Sequence, residues 1–172
     1  MFRYIFSFFL LFFVIGCQYI IYPQSKEEQL YHMLISLDKN VSKSEAKRLS
    51  RDIISFAIKL KYKYQPVIEP HFNNFLVNIG FKQYGLCYEW SDALYLHFIK
   101  QHYEGFRFHL IVSNQGEYWS EHNAFVITTK DKSILDGIVI DLWRYPDDIY
   151  MDFIKKDTSY KWRWRNQREN IR

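Results

Sequence analysis

The chain has too little of what several structural classes require. Its 172 residues include only two cysteines and six glycines, and no segment of the sequence repeats. A disulfide framework needs more cysteines, collagen needs a glycine at every third position and a solenoid needs repeats, so these classes are excluded. Extended disorder is excluded as well, because 48% of the residues are hydrophobic and 20% are aromatic. An aromatic-rich globular protein remains.

A large charge of one sign is also missing. The chain has 23 basic and 19 acidic residues, and residues 161–172 alone account for the net charge of +4. The alternation in Lys161-Trp-Arg-Trp-Arg165 favours an edge strand with Trp162 and Trp164 packed inward. The other interpretation is contact with phosphates or anionic lipid. No glycine-rich phosphate loop is present, so we predict neither a nucleic-acid partner nor a cofactor.

The chain has one long apolar run, and it lies at the N-terminus. After Arg3, twelve mostly apolar residues precede Gly16 and Cys17, which is too short for a hydrocarbon core of about 20 residues. We therefore predict a secretory signal over residues 1–16. Val14-Ile15-Gly16-Cys17 resembles the lipobox of bacterial lipoproteins. An uncleaved membrane anchor and an ordinary signal peptide are the alternatives.

The lipobox resemblance implies a lipid anchor. Cys17 would carry more than one acyl chain, palmitate among them, and would become the first residue of the mature chain, which gives stable attachment to a membrane. Residues 17–24 would form the linker and residues 25–172 one domain. Because Gln18 follows Cys17 where inner-membrane retention would favour Asp, the resemblance implies the outer membrane, facing the periplasm, if the cell is Gram-negative.

The first half of the mature sequence is helical in pattern. Ser25-Lys-Glu-Glu28 and Ser42-Lys-Ser-Glu45 are capping boxes, and each precedes apolar residues at helical spacing. Pro70 begins a third helix, which ends at Gly80. We predict that these helices form a layer without chemistry of its own.

In the second half of the mature sequence, the pattern changes from helical to β-rich. A fourth helix is predicted from Cys87 to about Tyr103, and β-rich runs follow over residues 106–112, 122–128 and 137–142. Helices followed by strands are typical of the α+β class. We therefore predict an N-terminal helical layer packed on an antiparallel sheet.

Three residues could carry nucleophilic chemistry. With Cys17 in lipid, Cys87 is a lone thiol at a helix start, where the unpaired N–H groups favour thiolate. His122 begins a strand 35 residues later, and Asp141 lies 19 residues further on, near the end of the next strand. A hairpin between these strands would bring a base and its orienting carboxylate together, which completes a Cys, His, Asp order.

The blocks around these residues resemble a known family. Gly85-Leu-Cys-Tyr-Glu-Trp90, Glu121-His-Asn-Ala124 and Ile140-Asp-Leu-Trp143 are similar to the transglutaminase-like branch of the papain-like cysteine enzymes, and to a group of uncharacterised bacterial exported proteins. The resemblance spans residues 80–145. It implies a papain-like core with Cys87 as nucleophile, His122 as base and Asp141 as the group that orients the base.

The second oxyanion donor is not defined by the sequence. The backbone N–H of Cys87 is one candidate, and Gln83, Tyr84 or Trp119 could supply the other. Metal is not predicted, because His97, His102, Glu104 and His109 form no ligand motif. Glu117 and Glu121 are four residues apart in a loop, which is weak support for a glycosidase pair.

The predicted function is therefore an envelope-anchored thiol hydrolase or acyltransferase acting on amide or ester bonds. Peptides, proteins or peptidoglycan are possible substrates by location alone. The alternative is a non-catalytic envelope lipoprotein that binds a protein or cell-wall partner through its aromatic surface. The sequence favours neither hydrolysis nor transfer, and oligomeric state is left open.

Overall fold

The structure is a computed structural model that describes residues 24–67, 69–117 and 119–166. The predicted signal sequence, Cys17, the linker up to residue 23 and residues 167–172 lie outside this part of the chain. Within the described ranges, four α-helices come first and five strands follow, so the predicted α+β class is confirmed. None of the helices in the described part has the length and apolar character needed to cross a membrane.

The four helices lie close to their predicted positions. Their bounds are Gln24–Ser36 (α1), Lys43–Tyr64 (α2), Pro70–Asn78 (α3) and Cys87–Phe98 (α4). Ser42 caps α2 as predicted, since its side chain accepts from the backbone N–H of Glu45. Ser25 does not cap α1, because the helix already begins at Gln24. The fourth helix ends at Phe98 rather than near Tyr103.

The five strands form one antiparallel sheet in the order β4-β3-β2-β1-β5. Their bounds are Phe106–Ser113 (β1), His122–Thr129 (β2), Ile138–Asp141 (β3), Tyr150–Phe153 (β4) and Arg163–Arg165 (β5). The three predicted β-rich runs are confirmed as β1 to β3. The sequence analysis did not predict β4.

Strand β2 is buried on both faces of the sheet. Phe125 and Ile127 belong to the main core, which the helices cover. Ala124 and Val126 belong to a smaller core on the other face, which includes Trp162 from the C-terminal segment. Since successive strand residues point to opposite faces, neighbours in β2 face different partners. Because of this alternation, His122 and Asn123 point to opposite faces of the sheet and contact different residues.

The C-terminal edge strand and the inward position of Trp162 are confirmed, but the predicted inward position of Trp164 is wrong. Trp162 is buried, whereas Trp164 is 56% exposed and Arg165 is buried. The Arg165 guanidinium forms an ion pair with Asp92 of α4, and β5 has only three residues. That ion pair places Arg165 inward and leaves Trp164 at the surface.

Candidate active site

The turn before Cys87 is fixed by the residues of its own sequence block. Gly85 has a φ of +133°, and a side chain there would overlap Asn73. The Glu89 carboxylate accepts from the N–H groups of Gly85 and Leu86, at 2.7 and 2.9 Å. The Trp90 indole donates to the Gly85 carbonyl. Cys87 is therefore held at the first position of α4, where backbone N–H groups have no acceptor within the helix.

The structure brings Cys87, His122 and Asp141 together. His122 Nε2 lies 2.6 Å from Asp141 Oδ2, and both side chains are almost fully buried. The other ring nitrogen, Nδ1, is buried without a hydrogen-bond partner among the described residues. The Cys87 thiol is close enough to interact with the imidazole. Nε2 thus contacts the carboxylate, and Nδ1 is the ring nitrogen that is left without a hydrogen bond.

The carboxylate holds a proton on the imidazole. Burial alone would lower the pKa of His122, but the charge and hydrogen bond of Asp141, together with Cys87, raise it to about 9. Burial would raise the pKa of Asp141, and the attraction of His122 and Arg144 instead lowers it to about 2. At neutral pH the pair is therefore an imidazolium and a carboxylate.

Four hydrogen bonds satisfy the Asp141 carboxylate. Oδ1 accepts from the backbone N–H groups of Trp143 and Arg144, at 3.0 and 3.1 Å. Oδ2 accepts from the Arg144 side chain at 3.1 Å in addition to the His122 ring. The carboxylate is thus fixed in one orientation, as a group that positions a base must be.

Arg144 joins Asp141 to a second buried carboxylate. Its guanidinium donates two hydrogen bonds to Asp157, at 3.2 and 2.8 Å, and stacks on the Tyr150 ring at 3.8 Å. Asp157 also accepts from the Trp162 indole at 2.9 Å. The sequence analysis missed Arg144 and Asp157, although Arg144 directly follows the Ile140-Asp-Leu-Trp143 block.

A buried lysine supports the segment after β3. Lys61 of α2 donates to the carbonyls of Leu142, Tyr145 and Pro146, at 2.9 to 3.2 Å. Burial lowers the pKa of Lys61 to about 8, against the opposing effect of nearby carboxylates. No sequence pattern indicates this role, because lysine is common on helix surfaces.

Asn123 is the polar group beside the sulfur that the sequence analysis did not identify. Its Nδ2 lies 3.5 Å from Cys87 Sγ and donates to Glu121 Oε1 at 3.1 Å. Glu121 as a carboxylate can only accept, which fixes the amide with its nitrogen toward the sulfur. The thiol itself donates to the Glu121 carbonyl at 3.7 Å. Asn123 is thus a donor within reach of an oxygen bound next to the sulfur.

A cleft of about 260 Å³ opens beside His122. His71 and Asn74 of α3 line it, together with Trp119 and Tyr160. The predicted helical layer therefore does contribute to the site, because α3 forms one wall. Cys87 is 8% exposed and contacts the backbone of Glu121, which also lines the cleft.

The predicted oxyanion candidates occupy different places. Trp119 lines the cleft and is 84% exposed. Tyr84 stacks on Tyr64, with ring centroids 5.1 Å apart, and Gln83 is exposed in the turn before α4. Neither Gln83 nor Tyr84 lines the cleft. Their role in stabilising an oxyanion stays a prediction.

The residues weighed for other chemistry are spread through the fold. His97 stacks on Phe56, and His109 lies 2.9 Å from Thr128 Oγ1. Glu117 contacts Ser120 within its own loop. Within the three described ranges, no group of three or more His, Cys, Asp or Glu side chains could hold a metal ion.

Comparisons with protein-family models, with curated proteins and with solved structures found no match to this chain.

Proposed function

We propose that the protein is an envelope-anchored thiol hydrolase or acyltransferase that acts on amide or ester bonds, with a papain-like or transglutaminase-like core. One observation carries the proposal: His122 is hydrogen-bonded to Asp141 through Nε2, its Nδ1 has no hydrogen-bond partner among the described residues, and the Cys87 thiol interacts with the same ring. Burial of the pair excludes water, which would otherwise weaken the interaction between the charges.

The proposed first step forms an acyl-enzyme. The Cys87 sulfur attacks the substrate carbonyl carbon as a thiolate, its proton being held on His122 Nδ1, and the carbonyl π electrons move to oxygen. Asn123 Nδ2 and the Cys87 backbone N–H donate to this oxyanion. When the carbonyl re-forms, the bond to the amine or alcohol breaks, and His122 Nδ1 gives its proton to that leaving group. A thioester on Cys87 results.

The second step releases the acyl group. Neutral His122 takes a proton from water or from an acceptor amine as that nucleophile adds to the thioester. The second tetrahedral intermediate then expels the Cys87 thiolate, and the acid or the new amide leaves.

The proposed location rests on the lipobox. Acylated Cys17 would attach the chain to the membrane, and Gln18 would direct it to the outer membrane, facing the periplasm, in a Gram-negative cell. Peptides, proteins and peptidoglycan are the candidate substrates in that compartment.

An activated ester tests the proposed function. With p-nitrophenyl acetate in excess, we expect a burst of about one p-nitrophenol per chain, because acylation precedes slower hydrolysis. Mass spectrometry of the quenched sample should place one acetyl group on Cys87. The Cys87→Ser variant should show no burst, and His109→Gln, which changes a histidine outside the site, should retain it.

The Cys87→Ser variant also distinguishes the proposed enzyme from a non-catalytic lipoprotein that binds a partner. If wild-type protein gives no burst, and Cys87→Ser restores every phenotype of a deletion strain, the enzyme proposal fails. The non-catalytic lipoprotein would then be the better account.

A further inference from the structure

Helix α3 and the turn after it expose a group of large apolar side chains. Phe72, Phe75, Ile79 and Phe81 are 51%, 53%, 58% and 79% exposed; we call them the α3 patch. Phe72 and Phe75 stack with ring centroids 6.1 Å apart. Single exposed apolar residues are ordinary, but adjacent ones on a short helix mark an interaction surface.

The adjoining side of α3 lines the candidate active site. Asn74 Oδ1 accepts from the Trp143 indole at 2.9 Å, and the His71 ring lies edge-on to Trp143 at 5.2 Å. His71 and Asn74 also line the cleft. Any surface that covers the α3 patch is therefore only one helix away from the cleft.

The start of α1 contacts a segment of the chain that also contacts α3. Near the start of α1, Lys26 donates to the Asp148 side chain at 2.7 Å and to the Ile149 carbonyl at 3.1 Å. These residues belong to the segment that follows β3, and Trp143 of that segment contacts α3. The segment over residues 143–149 thus contacts both the start of α1 and the helix that carries the patch.

The linker is short. Six residues separate Cys17 from Gln24, and the seven Cα–Cα steps of an extended chain between them span at most about 25 Å. If Cys17 is acylated, the start of α1 stays within that distance of the bilayer, and an apolar helix face nearby meets lipid far more often than any other partner. A helix lying in the membrane interface buries its apolar face about 5–10 Å deep.

We propose that the α3 patch docks on the bilayer that holds the anchor, so that the cleft takes amide or ester substrates presented at the membrane surface. The proposal rests on the lipid anchor and on the cleft described under the proposed function. Docking itself requires no chemistry at Cys87, so the two proposals can fail separately.

An environment-sensitive fluorophore tests the docking. The full chain with Cys87→Ala is acylated in cells, purified and reconstituted into vesicles of phosphatidylethanolamine and phosphatidylglycerol. Phe75→Cys or Leu135→Cys supplies the single thiol for an NBD label, and mass spectrometry verifies the acyl chains on Cys17. Leu135 is the matched control, since it is 47% exposed and lies between β2 and β3, at the end of β2 away from His122.

We expect doxyl-labelled phospholipid to quench NBD at position 75 by about twofold or more, with a blue shift, and to leave position 135 unchanged. A blue shift at position 75 without lipid quenching would mean that protein covers the patch, which overturns the proposal. Equal quenching at both positions, or none at either, would overturn it too. If the wild-type protein gives no ester burst and quenching occurs only at position 75, the enzyme proposal is contradicted and the docking proposal stands.

Discussion

Replacing Asn123 with alanine is expected to slow acylation by about 10²- to 10³-fold, the usual cost of losing one oxyanion donor. The amide nitrogen lies 3.5 Å from the Cys87 sulfur, which is near enough to reach an oxygen on a carbon bonded to that sulfur. The measurement is the rate of the p-nitrophenol burst in a stopped-flow experiment.

The rate of Cys87 alkylation distinguishes the loss of an oxyanion donor from a general disruption of the site. Iodoacetamide forms no oxyanion, so Asn123→Ala should be alkylated at Cys87 within about threefold of the wild-type rate. Asn74→Ala is the control, because Asn74 lines the same cleft and contacts Trp143 rather than the sulfur. An unchanged burst in Asn123→Ala, or equal losses of burst and alkylation, would show that Asn123 does not stabilise an oxyanion.

Replacing Arg144 with methionine is expected to lower the free energy of unfolding by about 3–5 kcal/mol. The Arg144 side chain is 9% exposed, and it neutralises the Asp141 and Asp157 carboxylates, each 1% exposed. Without it, Asp157 keeps only the Trp162 indole and a backbone N–H as donors. A buried carboxylate with no opposite charge nearby is costly, because desolvation is no longer offset.

Urea denaturation of the full chain measures this effect. Arg163→Met is the control, since Arg163 is exposed on β5, and surface changes of this kind usually stay within about 0.5 kcal/mol. Arg144→Lys should fall between the two, because a lysine keeps the charge but not the paired hydrogen bonds. A loss below about 1 kcal/mol in Arg144→Met would mean that the two carboxylates find other partners.

The sequence predicted those parts of the fold and the site that have local signals. Gly85 and the apolar spacing that follows it indicated a helix beginning at Cys87, and the β-rich run from His122 indicated a strand. Because both signals lie within a few residues of the group they position, a site could be anticipated in which a hairpin brings His122 and Asp141 together and the start of the preceding helix supplies Cys87.

Parts of the site that depend on contacts between distant elements gave no such signal. Arg144 and Asp157 are paired only because the segment after β4 returns across the sheet. Lys61 lies on a helix surface in the sequence pattern and is buried only because residues 142–146 pack over it. Trp164 was placed inward by simple alternation, and the ion pair of Arg165 with Asp92 reverses that orientation.

The proposed first step requires a Cys87 thiolate beside the His122 imidazolium. The most direct test of this ion pair is the pH dependence of Cys87 alkylation. Since Asp141 raises the pKa of His122 to about 9, the imidazole keeps its proton from about pH 6 to 8, and a neighbouring imidazolium favours the thiolate. Wild-type protein should therefore react with iodoacetamide at a nearly constant rate over this range, and faster than free cysteine at about pH 6. In His122→Gln, the rate should instead rise about tenfold per pH unit below the ordinary cysteine pKa of about 8.5. A wild-type profile that rises in the same way, and is no faster than free cysteine near pH 6, would contradict the account.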